Sequence, residues 1–203
     1  LTVVSSQKKQ SIVLTDKTVI FTNSVGDITS VDFENGEIIW QTPTRNLGFG
    51  NNITLRNSDI VSDGKNIYIS NNKNEFFSID LDTGSFNWKN KVNSNLRPSL
   101  INNYLFSISM EGFLMIIDQK TGNIVRITNI FNNFKQKKRK NIKPTGFIVG
   151  FNNIYLSTSN GKLLVIDIKS GKTISKLKID NEKVSRPIIN DKNLFLIKDN
   201  GII

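Results

Sequence analysis

Residues 66–90 read NIYISNNKNEFFSIDLDTGSFNWKN, and three other stretches follow the same pattern. They are 18–42 (TVIFTNSVGDITSVDFENGEIIWQT), 104–128 (YLFSISMEGFLMIIDQKTGNIVRIT) and 153–178 (NIYLSTSNGKLLVIDIKSGKTISKLK). Each reads as a strand, a tight turn, a second strand ending on Asp, a turn closing on Gly, and a third strand. The acids are Asp32, Asp80, Asp118 and Asp167, spaced by 48, 38 and 49 residues, and Gly36, Gly84, Gly122 and Gly171 follow them at a constant interval of 4. Six residues before each Asp stands a turn former: Gly26, Asn74, Gly112 and Gly161. A further short strand precedes the pattern, marked by Arg97-Pro98, Lys143-Pro144 and Arg186-Pro187. An incomplete fifth unit occupies 184–203, with a strand from Asn193 to Ile197 and turn residues Asp199, Asn200 and Gly201.

The chemistry of the repeat explains its spacing. An Asp at the end of a strand accepts hydrogen bonds from backbone N–H groups of the turn that follows, and Gly takes the positive φ that closes it. In Phe76-Phe77-Ser78-Ile79 and Leu163-Leu164-Val165-Ile166 apolar neighbours stand side by side, which describes strands buried on both faces. A four-stranded sheet with two apolar faces needs cover on each side. Stacking similar sheets around an axis provides it, so the expected fold is all-β, a propeller of four-stranded antiparallel blades.

Composition agrees. The 203 residues contain no Ala, the best helix former, and about twice as many Asn as the 13 Gly. No apolar run approaches the ~20 residues that span a bilayer, and residues 1–10 (LTVVSSQKKQ) show no signal peptide. There is no Cys and no His, which excludes disulfides, thiolate nucleophiles, Cys/His zinc sites, attached c-type haem and a Ser-His-Asp triad. The net charge of +10 owes half its excess to Lys135-Gln136-Lys137-Lys138-Arg139-Lys140. The pattern apolar-Tyr-apolar, Gly, apolar-apolar-Asp-x-x-Thr-Gly-x-x-x-Trp resembles the blade of the PQQ-like β-propeller family. Asp80 to Gly84 with Trp88, Asp118 to Gly122, and Asp32 to Gly36 with Trp40 carry the likeness. Ser185-Arg186-Pro187-Ile188 is similar to the family's Ser-x-Pro strand. The Trp position holds Arg126 and Ser175 in the third and fourth units, from which weaker packing between blades is expected. The resemblance covers 1–203 as a partial propeller with units near 18–42, 66–90, 104–128 and 153–178, about four to five blades of an expected eight, and it implies a piece of a longer chain.

The resemblance implies one of two functional branches. One is the quinoprotein dehydrogenases, with a quinone, a catalytic Asp and calcium ligands. The other is the non-catalytic BamB type, protein-binding scaffolds of the outer-membrane β-barrel assembly machinery, held on the periplasmic side of the outer membrane by a lipid anchor upstream. The residues favour the second. A carboxylate present in every unit is expected to shape turns, and no unique acid has a base partner. Asp80-Leu81-Asp82-Thr83-Gly84 is not a calcium loop, because Gly84 comes one place early and Lys91 replaces the closing Glu. Gly48-Phe49-Gly50 and Gly161-Lys162 fail as phosphate loops. Trp40 and Trp88 are expected to pack blades before they stack on a ligand. The expectation is therefore no catalytic, cofactor-binding or metal-binding residue, with a quinoprotein dehydrogenase fragment as the alternative and a soluble polymer- or sugar-binding propeller as a third reading. Two segments interrupt the repeat, 41–64 and the basic loop 129–143. The run from Lys135 to Lys140 is expected first as a solvated loop, then as a contact for an acidic partner or anionic lipid, and last for nucleic acid, since Phe131 and Phe134 are its only aromatic neighbours.

Overall fold

The repeated turn chemistry closes the same four-stranded sheet in each unit. The structure is a computed structural model and describes residues 11–23, 26–44, 56–198 and 201. The first sheet comprises β1 (Ile12–Leu14), β2 (Thr18–Thr22), β3 (Ile28–Asp32) and β4 (Ile38–Thr42). The second holds β5 (Val61–Ser62), β6 (Asn66–Asn71), β7 (Glu75–Asp80) and β8 (Phe86–Asn90). The third holds β9 (Ser99–Ile101), β10 (Tyr104–Ile108), β11 (Phe113–Asp118) and β12 (Ile124–Asn129). After the short α1 (Gln136–Arg139) comes the fourth, with β13 (Pro144–Val149), β14 (Asn153–Thr158), β15 (Lys162–Asp167) and β16 (Thr173–Lys178). A hairpin of β17 (Ile188–Asn190) and β18 (Asn193–Phe195) completes the series. Neighbours in sequence are neighbours in each sheet, and every strand pair is antiparallel.

Burial follows position in the sheet. The middle strands are covered on both faces: in β7 Glu75, Phe76, Phe77, Ser78 and Ile79 are all buried, and in β6 Tyr68 is fully enclosed. The outer strands β4, β8, β12 and β16 are mostly exposed. Each outer strand also carries a bulge at one repeated place. The register shifts between Ser30/Val31, Ser78/Ile79, Ile116/Ile117 and Val165/Ile166, always at the two residues before the Asp. The extra residue (Ile39, Asn87, Val125 or Ile174) stands immediately before the family's Trp position, and such a bulge bends the strand and re-aims the side chain beside it.

The chain divides into two compact units, Leu1–Asn95 and Leu96–Ile203. In the first, Ile20 and Ile28 from the first sheet meet Ile67, Ile69, Phe77 and Ile79 from the second in one apolar cluster. The second has a cluster centred on Phe106, Leu114, Phe131, Phe147, Ile154 and Leu164, which joins its two complete sheets to the segment between them. Of the segments that interrupt the repeat, 41–64 contributes the inner strand β5 and the buried Ile60; its residues 45–55 lie outside the described residues, as do Asp199 and Asn200. The basic loop contains α1, because Gln, Lys and Arg are good helix formers and the Arg139 N–H reaches the Lys135 carbonyl at 3.2 Å.

Candidate functional site

The recurring carboxylates stand one to a sheet, each engaged by its own turn. The Oδ1 of Asp80 accepts from the backbone N–H of Asp82 (3.1 Å) and Thr83 (2.8 Å) and from the Thr83 hydroxyl (2.8 Å). Asp118 accepts from the Thr121 N–H and hydroxyl, both at 2.8 Å. Asp167 accepts from the Ser170 N–H at 2.7 Å and hydroxyl at 2.6 Å. Asp32, whose turn has Asn35 at that place, accepts from the N–H groups of Glu34 and Asn35. Each turn is closed by the Gly N–H donating to the Asp carbonyl, at 2.8 to 3.0 Å. The Thr83 N–H and hydroxyl hold the Asp80 carboxyl below its ordinary value; those of Thr121 do so for Asp118, and the hydroxyl and N–H of Ser170 for Asp167. Carboxylates stabilised as anions by fixed donors are poor proton acceptors at neutral pH.

Two of these turns, those of Asp80 and Asp167, also dock onto a neighbouring sheet. In the first unit, the Trp40 indole N–H donates to the Leu81 carbonyl at 3.0 Å, and the buried Thr42 hydroxyl donates to the Gly84 carbonyl at 2.5 Å. In the second, the Arg126 guanidinium donates to the Ile168 carbonyl at 2.5 Å and to that of Lys169. Leu81 and Ile168 each follow their sheet's repeated Asp. Arg126 therefore makes the connection that Trp40 makes. Where weaker packing between blades is expected, Arg126 supplies a hydrogen-bonded link, because a long planar donor reaches the carbonyl equivalent to the one the indole reaches. Trp88 packs within its own sheet, tilted on Tyr68 with centroids 6.1 Å apart and edge-on to Phe76 at 5.5 Å.

Two polar arrangements escaped the reading of the sequence. Glu75 is buried, and its carboxylate is shared between the Asn71 amide (2.9 Å) and the Lys89 ammonium (2.7 Å), which also lies 5.0 Å from the Phe77 ring. Asp63 accepts from the Tyr68 hydroxyl at 2.9 Å. Burial pushes its carboxyl up, but the N–H groups of Lys65 and Asn66 with the Asn66 and Tyr68 side chains outweigh that and hold it below the ordinary value. Neither follows the repeat: Glu75 meets Lys89 from the next strand, and Asp63 stands in the turn before β6, away from the repeated Asp positions. An open groove of about 580 Å³ runs between β1 and the second sheet, lined by Val13, Leu14, Thr15, Ser62 and Leu81, with Asp16 and Lys17 exposed at its rim. Among the described residues no three of His, Cys, Asp and Glu come together as a metal site would need.

In the basic segment, Arg139 turns inward: its Nε donates to the Phe134 carbonyl at 2.7 Å and its Nη2 to the Asn132 carbonyl at 2.6 Å. Phe134 is buried edge-on against Phe131 at 5.8 Å, so neither ring is presented for stacking. Lys135, Lys137 and Lys140 remain exposed.

With this geometry established, comparison with known proteins becomes informative. Residues 2–128 match the family model described as outer membrane protein assembly factor BamB. The chain belongs to this family. The BamB of Legionella pneumophila is 21% identical over 199 residues, covering 95% of this chain and 49% of that protein. An uncharacterized protein of Rickettsia prowazekii, RP232, is 28% identical over 140 residues, 66% of this chain and 32% of the relative. The chain thus spans about half or less of the length of these two curated relatives. Among solved structures, BamB from Moraxella catarrhalis superposes with a TM-score of 0.63 at 14% identity, covering 94% of this chain and 69% of its own. The β-propeller domain of Cps50 (Swd1) from Myceliophteria thermophila gives 0.68 at 13% identity, covering 93% and 62%. The BamB-family chain is all-β and takes a partial β-propeller fold of four-stranded antiparallel sheets. Among its described residues no helix is long and apolar enough to cross a membrane.

Proposed function

We propose that this chain is a non-catalytic propeller scaffold that acts in outer-membrane β-barrel protein assembly from the periplasmic side, binding protein partners of the assembly machinery. The observation that carries this reading is the dispersal of the repeated carboxylates: each is engaged by its own turn, and the turns at Asp80 and Asp167 also hold a neighbouring sheet, which gives the acids of the repeat a structural use. Membership of the BamB family supplies the process. Partner binding by such a scaffold falls to the loops and the exposed outer strands. The 1–203 span is read as blades 18–42, 66–90, 104–128 and 153–178 with a further unit at 184–203.

The decisive experiment is affinity isolation of the tagged full-length protein from detergent-solubilised outer membranes of its host. Co-isolation of a β-barrel assembly complex, with reduced outer-membrane β-barrel content on deletion of the gene, is the expected result. Stoichiometric capture of pyrroloquinoline quinone, seen as a new absorption band and dye-linked oxidation of alcohols, would instead establish the quinoprotein alternative.

A further inference from the structure

Charge is divided unevenly between the two units. Residues 1–95 carry nine Lys or Arg against ten Asp or Glu, whereas residues 96–203 carry eighteen against seven. The whole positive excess belongs to the second unit. Within it, lysines gather at the end of the fourth sheet where β14 turns into β15 and β16 finishes. Lys162 and Lys178 stand directly opposite each other in the β15–β16 pairing. Lys162 and Lys176 both place an ammonium over the Phe134 ring, 5.3 and 4.2 Å from its centroid, which brings the adjoining Lys135–Lys140 segment to the same end. Lys143 is tied there as well, its carbonyl accepting from the Ser159 N–H at 2.8 Å.

Like charges directly opposite across a sheet repel, and here the ammonium groups are held by neutral partners: the Phe134 ring for Lys162 and Lys176, the Asn133 carbonyl for Lys176 and the Asn181 carboxamide for Lys178. Among the described residues no ion pair joins a carboxylate to Lys135, Lys137, Lys140, Lys143, Lys162 or Lys178. Asp180 and Glu182, which follow β16, leave the lysines uncompensated; Asp180 accepts from the N–H groups of Asn181 and Glu182. Positive charge gathered at one end of a sheet and joined there to no carboxylate leaves a surface complementary to a polyanion.

We propose that this lysine-lined end of the second unit docks on a bilayer surface rich in anionic phospholipid. Its chemistry distinguishes that partner from other polyanions. The charges presented are compact ammonium groups, suited to a diffuse plane of headgroups; the one guanidinium of the run, which could fork onto a carboxylate, is turned inward at Arg139. Phe131 and Phe134 are buried, so bases of single-stranded nucleic acid find no stacking platform.

The test is co-sedimentation of the purified chain with vesicles of phosphatidylcholine alone and with about one-third phosphatidylglycerol. Binding to the anionic vesicles alone, weakening as salt rises from about 0.05 M to about 0.5 M, is expected. Replacing three exposed lysines (Lys135→Gln, Lys137→Gln, Lys140→Gln) should lower partitioning roughly 100-fold. The control set Lys17→Gln, Lys65→Gln, Lys73→Gln in the first unit should leave it unchanged; both sets should keep the parent thermal unfolding curve. Equal binding to neutral vesicles, no binding at low salt, or an undiminished triple variant overturns the proposal. So does tighter binding of an acidic peptide or duplex DNA than of anionic vesicles. None of these outcomes depends on the assembly-machinery isolation, so the two readings fail separately.

Discussion

At the residue scale, one turn glycine serves two purposes and its counterpart in the first sheet serves one. Gly84 has φ +72, and a Cβ there would lie 2.6 Å from the Trp40 ring, whereas Gly36, at φ +74, has nothing within 4 Å of the corresponding point. Gly36→Ala should therefore cost only left-handed backbone strain, about 1 kcal/mol. Gly84→Ala should cost about 3 kcal/mol, because it also displaces the indole that holds the first sheet to the second. Urea unfolding of the two variants measures the difference; equal losses would mean that Trp40 is not held where the turn requires it. Arg126 allows a second comparison. Its Nε is buried without a hydrogen-bond partner, while its terminal nitrogens serve the Ile168 and Lys169 carbonyls. Arg126→Ala should lose about 1–3 kcal/mol, while Arg126→Trp, which restores the family's donor, should stay within about 1 kcal/mol of the parent by the same unfolding measurement.

At the scale of the element, the Asp turns make the fold sensitive to acid. The carboxyls of Asp80, Asp118 and Asp167 are lowered by hydrogen bonds that the unfolded chain lacks. A carboxyl lowered in the folded state contributes its full stability above the unfolded value, and that contribution is lost as pH falls through the folded value. The thermal midpoint should therefore be nearly flat from about pH 5 to pH 8 and drop steeply below about pH 4. Asp80→Asn, Asp118→Asn and Asp167→Asn combined should flatten that acid limb, as a calorimetric pH series would show. The β15–β16 pair offers the opposite case. Lys178→Glu places an opposite charge across from Lys162, keeps the Lys162 ammonium over the Phe134 ring, and should raise stability by about 0.5 kcal/mol. The gain should shrink in high salt, where the parent's own repulsion is screened.

For the whole molecule, the sequence and the fold carry different kinds of information. The repeat is legible because every sheet solves the same local problem with the same residues: Asp and Gly at a fixed interval can only bend a strand back on itself, and two-sided apolar strands demand stacking. All-β architecture, sheet order and the structural use of the repeated acids follow from spacing alone. Sequence spacing did not reveal where Arg126 reaches, the recurring bulge that aims it, the buried Glu75 between Asn71 and Lys89, or the meeting of Lys162 and Lys176 on Phe134. Apart from the Asn71–Glu75 pair across one hairpin, those contacts join residues 14 to 43 positions apart, or lie on outer strands whose side chains follow no apolar alternation. Local turn chemistry acts through neighbouring residues and is written in order along the chain. A donor's choice of carbonyl, and the gathering of like charges at one end of a sheet, arise only when separate sheets pack, so tertiary structure alone decided them.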